Sequence, residues 1–307
     1  MHYVLENYVK QYGDELHKLN FEDCQKAVDE LLKDYLLKVP GYFQAVTARN
    51  EFIISTIATS LYAVVWQLTC ELAQSGFVPK KCEFVIGLEN PDIPATEIKV
   101  DDETSVNLRG KIDRVDVWNR YVRIVDYKSD AKVFRLSEVV CGLNMQMLIY
   151  LYALLLSENE EYSNLKAGGV LYMPSSTDLE ESSLAMNGLI LENEELITAM
   201  DKEKSGQFIP EYKFTKAGKL TKASSFAGSK TFDAIFNHIT QMMKKTGAAI
   251  KNGEISVSPT DALSHNACDY CDFYGICHIE NSSHKKVQKL TNDEAVALME
   301  GCDGNGI

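Results

Sequence analysis

Two extended runs separated by only two residues constrain this chain most. Val106 to Trp118 and Tyr121 to Tyr127 are rich in β-branched and aromatic residues, and only Asn119-Arg120 lies between them. That spacing admits a tight turn and nothing longer, so the runs read as a β-hairpin. Before it, residues 1–16, 21–39 and 46–76 read as helices, the third lined by Phe52, Ile53, Ile54, Ile57, Leu61, Val64, Val65 and Leu68. A strand over Cys82 to Leu88, a turn zone with Pro91 and Pro94, and a strand over Glu97 to Val100 lead into the hairpin. After it come a helix over 136–157, strands at 166–172 and 188–191, a polar loop or insertion over 203–230 and a helix over 231–252. A Cys-rich segment at 268–277 and a polar tail at 284–307 close the chain, so one domain is expected over 1–283. This order predicts an α/β (α+β) sandwich around a central mixed sheet. No internal repeat interrupts it.

The hairpin also carries the most informative chemistry. Gly110-Lys111-Ile112-Asp113-Arg114-Val115-Asp116 lies on its first strand and Ile124-Val125-Asp126-Tyr127-Lys128-Ser129 on its second. Residues two apart on a strand share a face, so Asp126 and Lys128 point the same way, and across the hairpin Asp113 can approach Asp126. Two close carboxylates repel, and a hard divalent cation removes that repulsion. Such an ion lowers the pKa of bound water and polarises a phosphate, while Lys128 can orient the attacking water or balance charge in the transition state. Read by itself, the D-x-K spacing more often describes a solvated strand face with a surface Asp–Lys pair. Asp126 follows the buried-type run Ile124-Val125, where an acid needs a partner. Arg114 and Asp116 read as a supporting ion pair.

Composition limits the alternatives. A length of 307 residues, 45% hydrophobic and 24% charged, suits one large or two small globular domains that need no staple. No run of 18 or more apolar residues is seen, so no membrane span is expected. The N-terminus Met1-His2-Tyr3-Val4-Leu5-Glu6 lacks a leader pattern and enters a helix at once, which suggests a start inside a larger protein. The expected location is cytoplasmic. A net charge of −13 and a pI near 5.0 argue against a nonspecific nucleic-acid binder and require any DNA path to be local.

Together with Gln146-Met147-Leu148-Ile149-Tyr150, the two hairpin motifs resemble the RecB-like PD-(D/E)XK nucleases, and more narrowly the C-terminal nuclease domain of AddB-type subunits of AddAB helicase–nucleases. The likeness runs from His2 to the Cys cluster and implies a restriction-endonuclease-like core. It implies that His2, Asp113 and Asp126 are metal ligands, the Tyr127 carbonyl a further one, and Lys128 the catalytic lysine. His2 matches the end of the family's Gly-x-x-x-His-x-x-Leu-Glu-like pattern; the residues alone would fit a frayed N-terminal histidine. Gln146 and Tyr150, four apart on one helix face, are implied to lie beside the active centre, though a core tyrosine with a polar neighbour fits equally. Glu83 is a weaker auxiliary acid on the first strand. The implied activity is Mg²⁺- or Mn²⁺-dependent exonucleolytic cutting of single-stranded DNA emerging from a motor, on the strand ending 5′. The implied setting is double-strand break repair and recombination beside an AddA-like partner subunit.

Cys268, Cys271 and Cys277 form C-x2-C-x5-C, a spacing for a soft metal or an iron–sulfur cluster, which takes four thiolates. The resemblance implies a structural [4Fe–4S] cluster whose fourth Cys lies upstream of the His motif; the first Cys here, Cys24, does not match that position. His265 and His278 flank the segment and can recruit zinc. Lys213, Lys216, Lys219 and Lys222, followed by Lys230, Lys244 and Lys245 and interleaved with Tyr212, Phe214 and Phe226, suit single-stranded DNA, or simply a solvated loop. Gly228-Ser229-Lys230-Thr231 fails as a P-loop because no glycine immediately precedes the lysine and no strand precedes the run. A noncatalytic DNA-binding or scaffolding module and a redox protein built on the Cys trio are the competing classes.

Overall fold

The computed structural model describes residues 1–13, 15–39, 47–128, 133–175, 185–203, 206–210, 212, 225–263, 266–277, 279 and 284–301. Three helices come first: α1 (His2–Tyr12), α2 (Phe21–Lys38) and α3 (Ala48–Gln74). Asn20 starts α2 through a capping box with Asp23, and the Thr47 hydroxyl accepts from the Asn50 amide at the start of α3. Strands β1 (Val78–Ile86), β2 (Thr96–Lys99), β3 (Ser105–Leu108), β4 (Gly110–Trp118) and β5 (Tyr121–Lys128) follow. The expected hairpin is β4–β5, with Asn119 in the left-handed region at φ 52°. Short helix α4 (Leu136–Val140) and α5 (Gln146–Leu155) then cross to β6 (Lys166–Pro174), β7 (Asn187–Leu191), α6 (Glu194–Met200) and β8 (Phe226–Ala227), a two-residue strand directly before Gly228 where none was expected.

The main sheet runs β1-β4-β5-β6-β7-β8, with β5–β6 and β7–β8 parallel and its other pairs antiparallel. This is the mixed α/β architecture expected. Central β5 is buried over six consecutive residues, as a strand covered on both faces must be. On one face Val125, Tyr127 and Leu171 meet Leu5, Val28, Leu61, Val64 and Leu196 from α1, α2, α3 and α6. On the other, Ile112, Val115, Ile124 and Val170 meet Leu148 and Leu151 of α5 and Ile235 and Ile239 of α7 (Ser229–Lys251).

Several boundaries differ from expectation. The helix expected over 136–157 is broken at 141–145, where Gly142 and Asn144 take φ of 79° and 53°. The run from Val106 to Trp118 is two strands: β3 pairs with β2 in a separate ribbon, and β4 starts after Arg109. After the one-turn helix α8 (Tyr274–Cys277), the stretch read as a polar tail holds helix α9 (Asn292–Gly301), whose Ala295 and Met299 are buried on the α5–α7 side. Among the described residues α3 has the length and hydropathy to cross a bilayer, which the count of consecutive apolar residues did not detect. Its inner face, however, is packed into the protein, and it contributes a buried, paired Glu71. Lys213, Lys216, Lys219, Lys222, Phe214, His265 and His278 lie outside the described residues.

Candidate active site

The β4–β5 register brings the motif residues to one end of the hairpin. Arg114 pairs with Val125, and continuing that register sets Asp113 opposite Asp126. The Asp113 carboxylate bridges the strands: its Oδ2 accepts from the Tyr127 amide at 2.9 Å. Asp126 and Lys128 share the face of β5 that carries Val122 and Ile124 towards α5, and the Lys128 ammonium is 2.7 Å from Asp126 Oδ2. Period-two geometry had predicted this common face. Tyr172, next to Asp126 across the β5–β6 ladder, has its hydroxyl pKa raised by burial and then by the charges of Asp126 and Glu138.

A second group of donors meets Asp113 from the other side. His2 Nδ1, at the first turn of α1, is 3.2 Å from Asp113 Oδ1 and 3.6 Å from Glu83 Oε1. The donor atoms of His2, Glu83 and Asp113 all lie within 4.8 Å of one another. Asp126 stands outside this trio. The His2 pKa is pushed up to about 10 by hydrogen bonds to Asp113 and then Glu83, so this corner draws positive charge. Lys111 also pairs with Glu83. One imidazole nitrogen with carboxylate oxygens suits Mg²⁺ or Mn²⁺, so the donor chemistry fits a hard or borderline divalent ion.

Glu83, only weakly indicated by sequence, is thus part of the group. It sits inside β1 with φ 55°, a left-handed conformation that costs a non-glycine residue about 1–3 kcal/mol and is retained where the surroundings over-determine it. The β1–β4 register passes from Cys82–Arg114 to Phe84–Ile112, which puts this strained residue opposite Asp113. Periodicity carries no signal for such a twist.

Gln146 and Tyr150 share a face of α5, with Gln146 Nε2 donating to the Tyr150 hydroxyl at 3.2 Å. Tyr150 lies over the first residue of β4. A Cβ added at Gly110 would fall 2.4 Å from its hydroxyl oxygen, so this glycine makes room for the ring. Tyr127 contributes its amide here, and its ring stands edge-on to His2 with centroids 6.0 Å apart.

Behind the site lies a buried charge quartet, of which only Arg114–Asp116 was legible. Arg114 Nε is 2.9 Å from Asp116 Oδ1, Arg123 Nε 2.9 Å from Asp116 Oδ2, and Arg123 NH2 2.6 Å from Glu71 Oε1. Arg114 NH2 reaches Glu71 Oε2 at 3.3 Å, and Arg114 NH1 donates to the Tyr127 hydroxyl at 3.2 Å. Helix α3 is thereby tied to both strands that carry the carboxylates.

The cysteine segment stands apart from this site. Cys268 is half-buried, while Cys271 and Cys277 are exposed. Burial and then the charges of Cys271 and Cys277 push the Cys268 thiol up, as expected of sulfur atoms that sense one another. An iron–sulfur cluster needs four thiolates; the Cys268 sulfur itself lies 3.6 Å from the His284 imidazole. Cys24 is a core residue, bonded to the Tyr8 hydroxyl at 3.2 Å.

Residues 1–278 match the family described as the PD-(D/E)XK nuclease superfamily. Similar proteins include one from Alkaliphilus metalliredigens, 30% identical over 312 residues, covering 93% of this chain and 27% of the relative. Another, from Acetivibrio thermocellus, is 30% identical over 319 residues, covering 96% of this chain and 28% of the relative. A third, from Thermoanaerobacter sp., is 30% identical over 305 residues, covering 92% of this chain and 26% of the relative. All three are named as subunits of an ATP-dependent helicase/deoxyribonuclease. The chain spans about a quarter of the length of these relatives.

Proposed function

Because the chain belongs to the PD-(D/E)XK nuclease superfamily, we propose that it is a divalent-metal-dependent deoxyribonuclease module that trims single-stranded DNA exonucleolytically. Its setting is a helicase–nuclease complex that processes double-strand breaks, with an AddA-like motor protein as partner; the relatives' names, each a subunit of an ATP-dependent helicase/deoxyribonuclease, support the helicase–nuclease part of this reading. The observation that carries the reading is the convergence of Asp113, Asp126 and Lys128 at one end of the β4–β5 hairpin.

In this reading His2, Glu83, Asp113 and Asp126 hold Mg²⁺ or Mn²⁺, with the Tyr127 carbonyl as a further ligand. The bound ion supplies Lewis acidity at the scissile phosphate and a lowered water pKa. Lys128 exchanges its Asp126 partner for the reacting groups: its ammonium orients the attacking water and balances charge developing on the phosphate oxygens. Gln146 and Tyr150 fix the edge of the pocket above Gly110. The quartet behind the strands keeps Asp113 and Asp126 opposed. Lys230, Lys244 and Lys245 on α7 give the acidic chain a local basic path for DNA.

The test is cleavage of end-labelled single-stranded DNA in Mg²⁺ or Mn²⁺, with EDTA as control. Asp126→Asn and Lys128→Met each lower the rate by about 100-fold or more, as losing a charge-stabilising group does. If the wild-type protein binds DNA but never cuts it in either metal, the chain is a noncatalytic binding module instead.

A further inference from the structure

Three polar side chains link strand β6 to the start of α5. The Tyr172 hydroxyl donates to Asn144 Oδ1 at 3.0 Å, and Asn144 Nδ2 donates to Glu138 Oε2 at 3.4 Å. Tyr172 and Glu138 are 2% and 4% exposed. A carboxylate only accepts, so Glu138 turns the amide nitrogen of Asn144 towards itself and the amide oxygen towards the phenol. The relay therefore runs in one direction. One end of it stands beside Asp126: Tyr172 is the β6 partner of that residue, and in-register neighbours on adjacent strands project from the same face. The other end stands beside Gln146, which begins α5 two residues after Asn144.

A corner selected for stability alone would be built otherwise. Glu138 Oε1 accepts no hydrogen bond among the described residues, and the Arg135 guanidinium stands 3.6 Å from it. A buried carboxylate oxygen left so is destabilising. Asn144 is held in the left-handed region at φ 53°, which glycine enters more readily. Helix α5 starts without a side-chain cap, so its first turn depends on the chain before it. The far end of that crossing is tied to the same row of the sheet. The Phe134 amide donates to Asn187 Oδ1 at 2.6 Å, and Asn187 is the β7 partner of Tyr172. Asp126, Tyr172 and Asn187 thus stand side by side on three strands, and the segment from 134 to 146 is fastened to the row at both ends. Strain and unmet hydrogen bonding of this kind collect at functional sites.

We propose that Tyr172, Asn144 and Glu138 form a positioning brace that sets the spacing between Gln146 at the start of α5 and the Asp126–Lys128 pair on β5. The brace rests on the nuclease reading above, in which Gln146 and Tyr150 make one edge of the pocket. Its members act through Gln146 rather than on the reacting atoms. A shift of Asn144 carries Gln146 with it, and with Gln146 the Tyr150 hydroxyl that it bonds at 3.2 Å. The pocket edge above Gly110 then slides relative to the carboxylates. His2, Glu83 and Asp113 lie on α1, β1 and β4, away from the crossing, so their hold on an ion is untouched. Loss of the brace therefore lowers turnover and leaves ion affinity as it was.

The test compares Tyr172→Phe, Asn144→Gly and Glu138→Leu in cleavage of single-stranded DNA at saturating Mn²⁺. Each lowers kcat by about 10- to 100-fold, as a small misplacement of a contacting group does. Mn²⁺ affinity, read by calorimetry, is unchanged. Glu138→Gln, whose side-chain oxygen still accepts from Asn144, keeps most of the rate, and that rescue separates the relay from a general loss of folding. In a Gln146→Ala background, Asn144→Gly has no further effect on kcat. Full activity in both Tyr172→Phe and Asn144→Gly overturns the proposal, as do losses that multiply with that of Gln146→Ala. Hydrogen exchange reads the brace without catalysis. The Ile149 amide, which donates to the Met145 carbonyl at 2.8 Å, exchanges faster in Tyr172→Phe and Asn144→Gly but not in Glu138→Gln. Wild-type protein that cuts no DNA refutes the nuclease reading; unchanged Ile149 exchange in both variants refutes the brace.

Discussion

Replacing Glu71 with Gln tests whether the buried quartet organises the strands that carry Asp113 and Asp126. Glu71, Arg114, Asp116 and Arg123 are each at most 2% exposed, and their formal charges cancel. Glu71→Gln keeps the volume but leaves one positive charge uncompensated between α3 and the sheet. Removing one member of a buried ion pair costs about 3–5 kcal/mol, because the remaining charge stays desolvated. A whole domain has about 5–15 kcal/mol to lose. Urea unfolding followed by circular dichroism should therefore show the midpoint falling steeply with an unchanged slope. The same measurement on Asp101→Asn, which breaks the half-exposed pair with Lys251, should register under about 1 kcal/mol. A neutral replacement, Glu71→Met with Arg114→Met, leaves the Asp116–Arg123 pair intact and should recover most of the loss. If Glu71→Gln costs under about 1 kcal/mol, or the double variant is no better, charge balance is not what holds α3 to the strands.

Three further outcomes follow from the geometry. Gly110→Ala should displace Tyr150 and cost about 1–3 kcal/mol, and in a Tyr150→Ala background that cost should vanish in a double-mutant cycle. The Cys82 thiol is pushed up to about 12, chiefly by burial, while the unfolded thiol ionises near 9. The folded form thus retains a proton that the unfolded form has lost, and stability should fall as pH rises from 9 towards 12, by about 1.4 kcal/mol per unit for this group. Cys82→Ala should flatten that alkaline slope in melting curves, and an unchanged slope would sink the assignment. His2 carries a proton until about pH 10, so Mn²⁺ binding should release about one proton and tighten as pH rises through the neutral range. Calorimetry in buffers of different ionisation heat reads that proton directly; zero release would remove His2 from the ligand set.

Local pattern and short spacing were legible; tertiary convergence was not. Asn119-Arg120 announced the hairpin because a two-residue connection has few solutions, and the period of a strand put Asp126 and Lys128 on one face. Glu71 was not readable as a partner, and Glu83 was only weakly indicated. One lies within an apolar helix 43 residues before Arg114, the other in a backbone twist without a sequence signature. The break between α4 and α5 was hidden because the apolar spacing continues through Leu143. α9 escaped because Ala295 and Met299 alone of its side chains are buried, too few for a visible period.

The donors at positions 2, 83 and 113 come from a helix start, the outermost strand and the strand beside it. Among the described residues the one strand of the sheet paired with β1 is β4, and His2 sits where a helix is least held by its own hydrogen bonds. An ion bridging them would work as a rivet through one margin of the sheet. Loading should then slow amide exchange at the margin first, and a chelator should loosen that border before it disturbs the interior.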